Sequence, residues 1–584
     1  MTVIFQQRFL FYIIGASFMI SRSEAVEKGA NGGVYCLGCT AIVSLTQQLS
    51  EYHNVSFSKS FRQLCSYFPP PLSYGCSILG EVFMHKIKPY QFSSPDVICH
   101  KINICYNEKG QPECKLYPDT TTKDQFTKTN KNVEGLANGK LSNHIKEERI
   151  AQDVQLGFDI CTLPVIDWIC GLVKQVFRQG KPIFDLDGDR FSAYLKLRGS
   201  AWRGKDCNDF FSSHYPGRKP FNGDMFFDSN CNGIYGYNLQ QSRTWEDILC
   251  AESSPQGTIA LGDSMTAHFH IPPEWLTATE ITKDIFKDLW LVLTNEFDWP
   301  MMSAFTGYYN QSDWPHIISG PIDSVYKHIV KRNLCNHRDY QNIGKNGADS
   351  FTMNDELVGA MARDQKADRP ALVFYSLVGN DVCNSDPTGG GMTTVEQMRA
   401  NALKTMSSFD KILPNGSHVA MIGLADGRVL FDAMHNRTHP IGKLRNDVTY
   451  ARLYDFLNCL QISPCAGWLN SNETIRNATS KRARELSAVL KNIAETQKYQ
   501  NFDLVFFPNV FEEVINIWNS MGAGHETWQL IEPVDGFHPN QNAMALVAKV
   551  LVKVMETKTP HFLGDVNPHN EMIKKLFGDQ GGYK

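Results

Sequence analysis

Residues 258–267 read T-I-A-L-G-D-S-M-T-A. A short apolar run, Ile259-Ala260-Leu261, stops at Gly262-Asp263-Ser264, and small and polar residues then open a helix. A buried strand that turns into a helix at glycine puts a hydroxyl at the carboxyl edge of a sheet, with the helix dipole aimed at the same point. Taken alone, the tripeptide is more often an ordinary Gly-Asp turn with a capping serine. The flanking sequence decides between the two.

Downstream, apolar runs at 371–378, 418–424 and 503–507 are predicted as buried strands. Amphipathic segments at 354–362, 393–413, 449–460, 479–498, 510–520 and 541–555 are predicted as helices. This alternation implies an α/β domain, with a parallel sheet covered on both faces and ligands at the carboxyl ends of its strands. Four polar stretches fall at or near such ends. They are Gly262-Asp263-Ser264, the run from Asn342 through Gly344 to Gly347-Ala348, Val378-Gly379-Asn380-Asp381, and Val534-Asp535-Gly536-Phe537-His538-Pro539.

Acyl transfer needs what these stretches carry. Ser264 must lose a proton to attack, and His538 can take it. Asp535, three residues earlier, can fix the tautomer of His538 and stabilise its cationic form. A tetrahedral intermediate needs N–H donors, each worth roughly 3 kcal/mol. The Ser264 amide, the Gly347 amide and the Asn380 side chain are the candidates. Singly, each residue is ordinary: a histidine at a helix start, a turn asparagine, a loop glycine. In this order at strand ends, they favour an enzyme.

The set resembles the GDSL/SGNH esterase family, a three-layer hydrolase fold whose four marker residues would be Ser264, Gly347, Asn380 and His538 here. Two features depart from the family pattern. Gly379 directly precedes Asn380, and the long gap from Ser264 to Gly347 makes 285–335 an insertion. Its aromatic residues (Phe286, Trp290, Phe297, Trp299, Phe305, Tyr308, Tyr309 and Trp314) line an acyl pocket or lid, or add core packing; the sequence leaves both open. His268 and His270 read as local packing or substrate contacts, and His435 and His439 as loop residues.

The chain has 584 residues, enough for several domains, and its 42% hydrophobic and 20% charged content is globular. A net charge of −4 gives no general attraction to nucleic acid. Residues 1–25 read as a secretory signal, with Arg8, an apolar core from Phe9 to Ile20, and small residues Ser23 and Ala25 before the cut. About a dozen apolar residues are too few to span a bilayer. Residues 26–34 follow as a short tail or propeptide. Sixteen cysteines in a chain with such a signal imply disulfides and an oxidising compartment. Sequons at Asn54, Asn310, Asn415, Asn436, Asn472 and Asn477 agree with that setting.

Six cysteines, at 36, 39, 65, 76, 99 and 105, lie among short amphipathic segments broken by Pro69-Pro70-Pro71. This describes an all-α, disulfide-stapled domain over 35–112, for which six cysteines allow 15 pairings. The pattern resembles saposin-like domains, whose nested pairing implies Cys36–Cys105, Cys39–Cys99 and Cys65–Cys76. Lys59, Arg62, Lys86, Lys88 and Lys101 suit anionic lipid headgroups there. A polar linker over 113–157 contains a basic cluster, Lys146 to Arg149, as a processing site. If the chain is cut there, Cys114 is the candidate tether. Cys459 with Cys465 and Cys161 with Cys170 read as local pairs.

The segment 158–255 carries two loops with oxygens at alternate positions. One has Asp185, Asp187 and Asp189, with the Phe191 carbonyl at position 7. The other has Asp228, Asn230 and Asn232, with the Ile234 carbonyl. Such loops wrap Ca²⁺, and the missing oxygens are sought in Asp206, Asn208, Asp209 and Asp224. Structural calcium is expected; paired Asx turns are the plainer alternative. The hydrolase domain then runs over 256–560, with a C-terminal tail at 561–584.

A saposin-like domain ahead of calcium loops and a GDSL-type esterase resembles the acyloxyacyl hydrolase family. D-L-D-G-D-R-F-S, D-S-N-C-N-G-I and G-D-S-x-x-A-H-F-H-I carry much of the resemblance. It implies removal of secondary acyl chains from the lipid A of lipopolysaccharide, a secreted or lysosomal setting, and cleavage of a precursor into small and large subunits joined by a disulfide. Residues and spacing alone reach a secreted, lipid-engaging serine esterase. A broader phospholipase and a non-catalytic lipid carrier are the alternatives.

Overall fold

The computed structural model describes residues 29–70, 72–118, 180–313 and 318–583. The signal, most of the linker, Cys161, Cys170 and Trp314 lie outside them.

Five parallel strands form the central sheet: β1 (Gly257–Gly262), β2 (Tyr340–Gly344), β3 (Ala371–Ser376), β4 (Ser417–Ile422) and β5 (Phe502–Phe507), in the order β2-β1-β3-β4-β5. Gly262 pairs with both Gly344 and Ser376, so the ends of the three strands carrying the first three polar stretches are level. Side chains alternate between faces. Ile259, Leu261, Val373, Tyr375, Val419 and Met421 enter one core, while Ala260, Leu372, Phe374, Ala420 and Ile422 enter the other. Helices α1 (Gly33–Tyr52), α2 (Phe57–Tyr67), α3 (Leu72–Ile87) and α4 (Pro95–Lys101) precede the sheet. Within it, α5 (Val395–Ile412) and α6 (Glu473–Thr496) cover the first face, and α7 (Phe511–Ser520) and α8 (Gln541–Lys558) the second. This is the three-layer architecture expected. Strand β2 had no strand signal in the sequence, because polar Gln341 and Asn342 interrupt it. Both are buried, Asn342 through its bonds to the Thr266 carbonyl (2.8 Å) and the Thr306 hydroxyl (2.9 Å).

The edge of β2 is closed by the segment read as a calcium region. The Asn342 amide donates to the Trp202 carbonyl (2.7 Å) and the Gly204 amide to that of Tyr340 (2.9 Å). Trp202, fully buried, joins the core of the hydrolase body, so this segment seals an edge rather than standing apart. The C-terminal stretch is likewise no loose tail. Phe562 and Ile573 are fully buried, and the Tyr583 ring packs 5.0 Å from Tyr308.

The N-terminal domain comprises α1 (Gly33–Tyr52), α2 (Phe57–Tyr67), α3 (Leu72–Ile87) and α4 (Pro95–Lys101). Its bridges are Cys36–Cys105, Cys39–Cys99 and Cys65–Cys76, the nested set. It sits directly on the hydrolase body. Leu45, Leu49, Leu64 and Leu72 pack against Ala278, Ile281, Phe286 and Leu289. Burying each such side chain is worth roughly 1.5–3 kcal/mol, so the contact is more than a tether. Polar bonds frame it: Gln48 Nε2 donates to the Ile441 carbonyl (2.6 Å), and Arg445 pairs with Glu51 (2.8 Å).

One cysteine expectation, the local pair Cys459–Cys465, is corrected. Cys459 bonds Cys114 and Cys465 bonds Cys383. The helix Tyr450–Cys459 ends with Cys459 turned toward the chain leaving the N-terminal domain, whereas Cys465 is fully buried beside Cys383. Closeness in sequence did not decide the pairing. The start of the linker is also packed, since Leu116 and Tyr117 are buried and their amides donate to Asp96 (3.1 Å each).

Candidate active site

The elbow after β1 is built from one buried carboxylate and one glycine. Asp263 accepts the Met265 amide (3.1 Å) with one oxygen and the Val378 amide (2.7 Å) with the other. It thereby caps the helix Ser264–Ala267 and ties the serine turn to the Gly379-Asn380 turn. A side chain on Gly262 would lie 2.1 Å from the Ser376 carbonyl oxygen, so the two strand ends approach only over a glycine.

Ser264 and His538 are distant in sequence and adjacent in space. The Ser264 hydroxyl lies 2.6 Å from His538 Nε2, and His538 Nδ1 lies 2.5 Å from Asp535 Oδ2. The other Asp535 oxygen accepts the Phe537 (2.8 Å) and His538 (3.1 Å) amides. Asp535 is thus a buried acceptor whose orientation is fixed by its own turn. The Phe269 ring packs 4.6 Å from the imidazole.

Around that turn stand groups that sequence reasoning missed. Tyr454 donates to the Gly536 carbonyl (2.8 Å) and Tyr450 to that of Pro533 (2.5 Å), while His439 Nε2 meets the Val534 carbonyl at 2.8 Å. His439 is therefore a loop residue, as read, but a buried one that supports the turn. Gly536 adopts φ 63°, and a Cβ there would lie 2.3 Å from the Tyr454 hydroxyl. His270 bonds both oxygens of buried Glu532 at 2.7 Å. Burial alone would lower the His270 pKa, but the facing carboxylate raises it. Burial pushes the Glu532 carboxyl up as well. His268 bonds Gln541 (2.7 Å), and burial lowers its pKa to about 3, which keeps it neutral. No spacing signal links these residues, because their partners lie some 80 to 270 positions away.

The remaining candidates meet in the loop after β2. Lys345 donates its amide to the Gly262 carbonyl (3.0 Å), bringing 345–348 against the elbow. Asn380 Nδ2 donates to the Ala348 carbonyl (3.1 Å), next to Gly347, which has φ 72°. Serine, glycine and asparagine thus occupy neighbouring turns at three adjacent strand ends. Of the 285–335 aromatics, Phe297, Trp299, Phe305, Tyr308 and Tyr309 are buried core. Phe286 and Trp290 instead join the cluster facing the N-terminal domain.

The first acidic loop gathers its carboxylates. Ligand atoms of Asp185, Asp187 and Asp209 lie within 4.8 Å of one another, as do those of Asp187, Asp189 and Asp206. One oxygen each of Asp187, Asp189 and Asp206 is buried without a hydrogen-bond partner. Burial and mutual repulsion push Asp189 up to about 8 and Asp206 up to about 7. Asn208 stands beside them, its amide donating to Asp206 (2.8 Å). The first loop's carboxylates also accept loop amides, those of Gly188 and Arg190 on Asp185 and that of Phe191 on Asp189 (2.8 Å), and the same Asx pattern recurs in the second loop. Asp224, Asp228, Asn230 and Asn232 accept backbone amides within the segment, and the amides of Asn230 and Asn232 donate to Glu246. Ile234 donates its own amide to Asn232 (2.7 Å), as in an Asx turn.

A nucleophile elbow at the edge of a parallel three-layer sheet, joined to a disulfide-stapled helical domain, defines a GDSL-type ester hydrolase with a saposin-like module. Comparison with known families agrees: the saposin-like domain matches residues 35–171 and the GDSL-like lipase/acylhydrolase matches 259–551. The chain is 42% identical to acyloxyacyl hydrolase of Homo sapiens over 581 residues, covering 98% of each chain. It is 43% identical to that of Oryctolagus cuniculus, covering 94% of this chain and 93% of the other, and 42% identical to that of Mus musculus, covering 94% of each. The chain belongs to the acyloxyacyl hydrolase family.

Proposed function

We propose that the protein releases secondary, acyloxyacyl-linked fatty acyl chains from the lipid A of bacterial lipopolysaccharide. The observation that carries the chemistry is the Ser264–His538–Asp535 chain of contacts at 2.6 and 2.5 Å. Ser264 attacks the ester carbonyl as its proton passes to His538 Nε2, and Asp535 stabilises the resulting imidazolium. The Ser264 and Gly347 amides and the Asn380 side chain stabilise the oxyanion. His538 then protonates the departing alkoxide, and water, deprotonated by His538, releases the fatty acid from Ser264.

The choice of lipid rests on the relatives' printed name and on the saposin-like domain. That domain exposes Lys59, Arg62, Lys86, Lys88 and Lys101, together with Tyr52, Tyr74 and Phe92. Basic and aromatic side chains on one small domain suit an anionic lipid surface. A calcium ion, when bound, would supply structural charge neutralisation at Asp185, Asp187, Asp189, Asp206 and Asp209, and the orphaned oxygens of Asp187, Asp189 and Asp206 suit it; the Phe191 carbonyl completes the loop pattern. Both loops bond internally as Asx turns; in the second, the Asn230 and Asn232 amides are committed to Glu246, which supports a plain turn there instead. The Cys114–Cys459 bridge spans the linker, so a chain cut within it would stay joined, which supports processing into two linked subunits. All six sequon asparagines are exposed, in keeping with glycosylation in a secretory or lysosomal setting.

The test is fatty-acid release from lipopolysaccharide by the wild type and by Ser264→Ala. A loss of about 10⁴-fold or more is expected. Near-normal release by the variant would remove Ser264 as nucleophile.

A further inference from the structure

At the amino ends of the strands, opposite the Ser264 elbow, lies a cavity of about 460 Å³ whose lining includes Gln256, Pro370, Gly416, His418, His561 and Asp565. His418 on β4 and Asp503 on β5 are register partners, so their side chains share one face of the sheet. His561, in the short helix Pro560–Leu563 just after α8, leans over both. The ligand atoms of His418, Asp503 and His561 all lie within 4.8 Å of one another. His418 Nδ1 meets one Asp503 oxygen, and His561 Nε2 lies 2.8 Å from the other.

We propose that these three side chains form a divalent zinc site. Two imidazoles and one carboxylate match the ligand chemistry of Zn²⁺ and leave a coordination position for water. Imidazole is a poor partner for Ca²⁺ and Mg²⁺, which take oxygen ligands. The geometry is held by packing. The His418 ring stacks on Phe562, with centroids 4.7 Å apart and planes at 20°, and the two imidazole rings are 5.1 Å apart. His561 and Asp503 are about half exposed, so an ion reaches them from the cavity side. On binding, the two N–H···O contacts are replaced by two nitrogen–metal bonds and one oxygen–metal bond, and both histidines are neutral. The site would clip the segment after the last sheet helix to β4 and β5. It shares no residue with the acidic loop or the Ser264 elbow.

The test uses the full-length protein without a polyhistidine tag, in excess calcium to saturate the acidic loop. Zinc is titrated against a chromogenic chelator, and cobalt is substituted to read its visible absorption. The proposal expects one zinc per chain in the wild type and in Asp206→Asn. His418→Ala and His561→Ala should lose affinity by more than the roughly ten- to hundredfold that removing an outer hydrogen-bond partner of a metal ligand costs. Zinc should raise the melting temperature of the wild type by several degrees and leave that of His561→Ala unchanged. Because His561 is exposed and remote from the elbow, His561→Ala should keep normal ester hydrolysis, which reports a folded variant. No zinc uptake by the wild type at micromolar free metal, or equal uptake by the His561→Ala variant, would overturn the proposal.

Discussion

At the scale of single residues, the site depends on side chains that are held as well as on those that react. Asp535 accepts two backbone amides and one imidazole, so its carboxylate is fully engaged within its own turn. Gly536 lets that turn close beneath Tyr454. We predict that Gly536→Ala lowers kcat on any ester substrate at least tenfold, as expected when a small displacement spoils an aligned contact. Steady-state kinetics beside a melting curve will show whether activity falls further than stability. Asn380→Ala should lower kcat by about 10²- to 10³-fold with KM nearly unchanged, the signature of a lost oxyanion donor. An effect confined to KM would assign Asn380 to substrate binding. The candidates Ser264, His538 and Asp535, which the fold brings into contact, could be named from the sequence because acyl transfer demands those residue types near strand ends. Tyr450, Tyr454, His439 and the His270–Glu532 pair were not, since they act through folded proximity and belong to no short motif.

At the scale of elements, the level ends of β1, β2 and β3 bring the serine, glycine and asparagine turns together. The apolar runs exposed β3, β4 and β5 to sequence reading. Strand β2 escaped it because its polar residues are satisfied inside the fold rather than at its surface. The helix Glu473–Thr496 likewise begins before the expected 479, because Asn472 caps it by accepting the Thr474 amide (2.9 Å). Disulfides were legible only where a whole cysteine pattern had a precedent. The Cys114–Cys459 bridge crosses 345 positions, and no spacing rule reaches that far. Cleavage within 119–157 should therefore leave one species on a non-reducing gel and two on a reducing one. With Cys459→Ser the two pieces should separate without reductant. A cleaved wild type that separates without reductant would contradict the bridge.

At the scale of the molecule, a saposin-like domain is fastened to an esterase by a disulfide and by an apolar interface near the aromatic insertion. Most of the insertion's aromatics are core, the second of their two readings, while Phe286 and Trp290 face the saposin-like domain. Residues 202–204, which seal the β2 edge, lie between Asp189 and Asp206 in the chain, so the acidic cluster is tied to the hydrolase body. Chelation of calcium should lower the melting temperature by several degrees, because a ligand bound only to the native state stabilises it by mass action. Differential scanning fluorimetry with and without chelator checks this, and no shift would leave the loop as a set of Asx turns. The central claim is that Ser264 hydrolyses acyloxyacyl esters of lipid A. It is tested most directly by mass spectrometry of the products formed from purified lipid A. The account predicts free fatty acids and a lipid A core that retains its primary acyl chains, with neither product formed by Ser264→Ala. Loss of primary chains, or equal release by the variant, would contradict it.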